Sequence, residues 1–60
     1  MRAGIVVVVA ALDEVPEHLF VVQEVFEDFV AGVALTGPLA GAYGEPELAL
    51  VTPLGTDQSL

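Results

Sequence analysis

The sequence predicts a small α+β domain. The expected form is a βαββ unit in which one amphipathic helix packs on a mainly antiparallel three-stranded sheet, with oligomerisation completing the core. Three observations carry that expectation. The run IVVVV at residues 5–9 is β-branched throughout and unbroken by polar residues, the composition of a strand covered on both faces. Val15, Leu19, Val22, Phe26, Phe29 and Val33 recur at spacings of four and three, which at ~100° per residue line up as one helical stripe. Beyond Gly32 the texture changes to Gly, Pro and Ala between short apolar bursts, as in turns joining short strands.

Taken in order, residues 5–9 form the first strand. Asp13 then caps a helix over 14–31, because its carboxylate can accept the orphan amides of a first turn. Glu14 and Glu17 suit the positive end of the helix dipole, and Pro16 falls where a missing N–H does no harm. Gly32 is the expected stop. Val33 to Thr36 begin a strand that Gly37-Pro38 breaks, and residues 39–43 and 47–52 flank Gly44-Glu45-Pro46 as the arms of a hairpin. The single domain spans 1–54, and residues 55–60 read as a flexible tail. The order strand, helix, hairpin is similar to the general layout of the dodecins, small βαββ proteins that form hollow flavin-binding assemblies. No Trp is present here to stack on a flavin. Half of a ferredoxin-like fold, completed by dimerisation, fits the same order.

Composition narrows the function. A chain of 60 residues buries only about 60% of its unfolded surface and is marginal alone. It contains no cysteine, which removes disulfides and thiolate metal sites as staples. Yet 55% of its residues are hydrophobic, more than one small core can hide, so the expectation is a homodimer or higher oligomer. Nine acids face one base, Arg2, for a formal charge of −8. Affinity for nucleic acid comes largely from Lys and Arg neutralising phosphates, so nucleic acid is excluded as a partner, as is an anionic membrane surface. A basic protein remains open to it. The apolar run at the amino terminus is too short to span a bilayer, and the chain reads as cytoplasmic.

No catalytic constellation emerges, and no metal or cofactor is expected. His18 is the only histidine; with Glu14 four residues before it on a helix it could share a metal across a dimer axis, but with no second His or Cys in support it reads as a partly exposed histidine beside a first-turn acid. Gly37, Gly41 and Gly44 do not feed a helix and the chain has no Lys, so a phosphate loop is set aside. The hydroxyls of Thr36, Thr52, Thr56 and Ser59 have no base arranged beside them. Tyr43 reads as a strand aromatic at a hairpin end.

The remaining clue is the helix itself. Phe26 sits near the centre of the stripe and is the expected core aromatic. Phe20 falls among Glu17, Glu24 and Glu27, where an aromatic ring would serve as an interface anchor. Val21 and Val25 add a second apolar flank, and Asp28 extends the acid patch. Phe20, Val21, Val25, Glu17, Glu24, Glu27 and Asp28 are therefore the candidate interface residues. The functional expectation is a small acidic non-catalytic homo-oligomer, an assembly, regulatory or protein-interaction module. The alternatives are an acidic nucleic-acid mimic that inhibits a basic partner, or a ligand-binding oligomer with its site between subunits.

Overall fold

A computed structural model of the chain describes residues 2–54. Its element order is β1 (Val6–Val9), β2 (His18–Val25), β3 (Val30–Ala34), β4 (Tyr43–Gly44), a single 3-10 turn (Leu48–Leu50) and β5 (Val51–Pro53). Every pairing is antiparallel, and the five strands form one sheet in the order β4-β3-β2-β1-β5. The α+β expectation is thus overturned: among the described residues there is no α-helix, and the βαββ layout with its likeness to the dodecins goes with it. No helix among them is long and apolar enough to cross a membrane. The strand expected at 5–9 is present as β1. The tail expected at 55–60 lies outside the described residues.

Residues 14–31, read as a helix, instead make a turn, a long strand, a tight turn and the start of another strand. The cause is side-chain shape. Val15, Val21, Val22, Val25, Val30 and Val33 crowd this stretch, and β-branched side chains lose rotamer freedom on a helix but pack well on a pleated surface. Two short loops complete the change. Leu12 and Val15 exchange both backbone hydrogen bonds at 2.9 Å across Asp13-Glu14. Asp13 there adopts a φ of 54°, the left-handed region that Asp tolerates better than most residues. Phe26 and Phe29 face each other across Glu27-Asp28, with the Phe26 amide donating to the Phe29 carbonyl at 2.8 Å. Their rings stack at 4.7 Å between centroids, which closes the β2–β3 hairpin although the loop contains no Gly, Asn or Pro.

The strand period of two then decides the inside. Val7 pairs with Phe20 and Phe20 with Ala34, Val9 pairs with His18, and Val22 with Gly32. All these residues share one face, and Val7, Val9, Phe20, Val22, Val30 and Ala34 form the core. A β-bulge at Gln23, where β2 takes two steps to one on β3, switches the parity, so that Val25 rather than Glu24 lies opposite Val30. Phe20, at 2% exposure, is the core aromatic, and Phe26, at 43%, is not. The assignment of Phe26 to the core is therefore corrected.

The Phe20 ring fits because the neighbouring strands carry no side chain beneath it. Gly32 and Gly44 are cross-strand partners. A Cβ built on Gly32 would collide with the Val21 carbonyl oxygen and lie 2.9 Å from the Phe20 ring, and one on Gly44 would lie 3.7 Å from the same ring. Gly32, expected to stop a helix, instead permits close approach, as strand glycines under an aromatic do.

The chain covers its own core by crossing the sheet. Residues 45–50 carry it from β4 at one edge to β5 at the other, and Leu48 and Leu50 pack on the core as they pass. The Leu48 amide donates to Asp28 O at 3.0 Å and the Ala10 amide to Leu50 O at 2.8 Å. Asp28 and Ala10 lie beyond opposite ends of the ladder, so only a strongly coiled sheet brings them within two residues' reach. The molecule is a partly open half-barrel. Its inner face is apolar and covered, and its outer face carries the other row of every strand.

Phe20→Ala removes the largest core side chain and should cost about 3–5 kcal/mol, as much as a core this size supplies. The variant should give no cooperative thermal transition, whereas Phe26→Ala should melt cooperatively with a lowered midpoint. The reverse ranking in circular-dichroism melts would place the wrong ring inside. Gly32→Ala should likewise destabilise far more than Gly44→Ala, because the first Cβ meets backbone and the second meets only ordinary ring contact. Equal midpoints for the two would contradict the stacking of Phe20 on this pair.

Candidate functional site

The seven candidate interface residues do not form one surface. Phe20 is buried on the inner face. Val21 is half-buried on the outer face, paired with Val6 and Val33. Val25, 41% exposed, ends β2 opposite Val30. Glu17 is exposed just before β2, Glu24 lies on β2 across from Ala31, and Glu27 and Asp28 form the hairpin loop. The helical acid patch is dispersed accordingly. Of the acids among the described residues, only Glu24 lies within a strand; Asp13, Glu14, Glu17, Glu27, Asp28, Glu45 and Glu47 occupy the connections. Glu14 and His18 do not share a helix face, because Glu14 is in a turn and the His18 ring is buried. No three His, Cys, Asp or Glu side chains among the described residues come together as a metal-holding group.

The outer face presents a different set. Val6, Val21 and Val33 form one cross-strand row that ends on Tyr43, and Thr52, Val8 and Leu19 form the next. Leu35 extends the second row, its amide donating to Leu19 O at 2.8 Å. Thr36 Oγ1 accepts from the Leu19 amide at 3.0 Å, so the ladder is satisfied where β3 ends. The valines and Leu19 are half-buried, while Leu35 is 46% and Tyr43 62% exposed. Leu19 and Val33 were missed as outer-face residues because a helical period puts them in one core stripe, and Val6 and Val8 because the unbroken apolar run does not distinguish the faces of a strand.

Tyr43 is held in place at the edge. Its hydroxyl donates to Glu45 Oε2 at 3.0 Å. That hydrogen bond, some desolvation and the negative charges of Glu45 and Glu24 all raise its pKa above the ordinary 10.0, since each favours the neutral phenol. The contribution to stability is present below that ordinary value and is lost as pH rises through the folded one.

Beside the core is a pocket of about 300 Å³, lined by Val9, Phe20 and Ala34 and by Tyr43, Gly44 and Glu45 at the β4 edge. His18, 8% exposed, is the buried polar side chain of this lining. Its Nδ1 lies 2.8 Å from the Pro16 carbonyl oxygen. A carbonyl only accepts, so Nδ1 carries the proton and, in the neutral ring, Nε2 is a bare acceptor. Among the described residues Nε2 has no hydrogen-bond partner.

Tyr43 is the only tyrosine, so its ionisation can be read directly by ultraviolet absorbance. Glu45→Gln should bring the titration down towards 10.0. An unchanged titration would mean that the Tyr43–Glu45 contact is not made in solution. Comparison of the chain with protein-family models, with curated proteins and with solved structures returned no match.

Proposed function

We propose that the protein is a small acidic non-catalytic interaction module that works as a homo-oligomer, with the outer sheet face as the contact between copies. The observation that carries this reading is the half-buried to exposed apolar face of Val6, Val8, Leu19, Val21, Val33 and Leu35 on a chain of only 60 residues. A contiguous apolar patch on a soluble protein marks an interaction surface. Charge favours a second copy as the occupant. A chain of charge −8 repels its own kind, yet the two rows hold no ionisable side chain except Tyr43 at one end, and almost all acids sit at the turns. Two outer faces can meet while the acids stay at the solvated rim, the polar-rim arrangement of stable interfaces. A standard interface takes ~800 Å² from each partner, about a fifth of the 3825 Å² that this subunit exposes. A whole sheet face is needed for that, and an edge of two or three residues is not enough.

The test is oligomer mass by sedimentation at micromolar concentration, for wild type and for Val21→Lys. Burying an unpaired ammonium costs several kcal/mol, so the substitution should raise the dissociation constant more than about a hundredfold while the monomer keeps its fold. A wild type that remains monomeric, or a Val21→Lys variant that assembles as well as wild type, overturns this assignment of the interface.

A further inference from the structure

The buried side chains of the pocket, Val9, His18, Phe20 and Ala34, lie on the opposite face of the sheet from the proposed contact between copies; Tyr43 at the edge borders both. We propose that it binds a small, mainly apolar molecule of ring size that carries one hydroxyl, the hydroxyl donating to His18 Nε2.

Volume sets the size of the ligand. The ~300 Å³ available is at the lower end of natural ligand sites. Since ~150 Å³ of apolar cavity holds a benzene ring, there is room for one ring and a short substituent. Chemistry sets its character. Val9, Phe20 and Ala34 make the lining beside His18 apolar, and the small residues Ala42 and Gly44 add to it. Of its polar side chains, Tyr43 and Glu45 pair with each other, and the buried acceptor Nε2 is the one without a partner among the described residues. A buried ring nitrogen without a partner costs free energy unless something donates to it, and the pocket is where a donor can arrive. The Pro16 contact fixes the tautomer in advance, as a second hydrogen bond on a histidine does for a ligand on the other nitrogen. A hydroxyl on an apolar body matches both demands, whereas an anionic ligand would be repelled by the Glu45 carboxylate in the lining.

Phenol and toluene provide the comparison, because they have nearly the same shape and differ in the donor. Each is titrated into the isotope-labelled protein, and amide shifts are followed by NMR. Phenol should perturb Val9, Ala34, Ala42 and Gly44 in a saturable way and bind at least about fivefold more tightly than toluene, the worth of a net hydrogen bond. His18→Phe should abolish that preference. Because His18→Phe can also disturb the core, Gly44→Val serves as the second variant. The position faces open space apart from ordinary contact with the Phe20 ring, so the larger side chain should fill the pocket, keep a dispersed spectrum and remove binding of both probes. Absence of saturable shifts with either probe overturns the proposal. So does equal affinity for the two, or full phenol binding by folded Gly44→Val.

Discussion

The fold depends on one aromatic ring lying over a strand glycine. Phe20 takes its place on the inner face only because Gly32 presents bare backbone beneath it, while Gly44, facing Gly32 from β4, keeps an ordinary contact distance from the ring. The ring in turn covers that backbone and joins Val7 on one side to Ala34 on the other. With Phe20 inside, strand alternation sends Val7, Val9 and Val22 inward too, and their neighbours outward. An aromatic over strand glycines stabilises the ladder where glycine alone would weaken it. Coiling of the sheet then lets six residues, 45–50, cross the inner face and close it with Leu48 and Leu50.

The same alternation gives the sheet two apolar surfaces, and the crossing residues 45–50 pack on one of them. The outer rows of β1, β2 and β3 are made of valine and leucine, while every described acid except Glu24 lies in a connection. The inner face keeps a pocket beside His18, lined in part by the small residues Ala34, Ala42 and Gly44.

What the sequence made legible was local. Residues 5–9 read as a strand because five consecutive β-branched side chains leave little alternative, and β1 is there. Residues 14–33 were misread because two periods coincide: Leu19, Val22, Phe26, Phe29 and Val33 satisfy a helical stripe, while His18, Phe20 and Val22 satisfy a strand. Density of valine was the signal that favours the strand. The turn between Phe26 and Phe29 was hidden because its loop, Glu27-Asp28, lacks Gly, Asn and Pro; a stacked aromatic pair closes it instead. The bulge at Gln23 cannot be read from composition, and it sets which side chains of β2 face inward near its end. With the helix went the apparent acid face, and Phe20 moved from the charged side to the centre of the core.

The most direct test of this account is a set of proton distances around Phe20. Nuclear Overhauser spectra should connect the Phe20 ring to the α-protons of both Gly32 and Gly44, and ring current should displace those glycine resonances. Cross-strand contacts between Val7 and Phe20 should accompany them. If residues 14–31 instead show the sequential i to i+3 and i to i+4 contacts of a helix, with no contact from Phe20 to either glycine, the sheet and everything argued from it would be wrong.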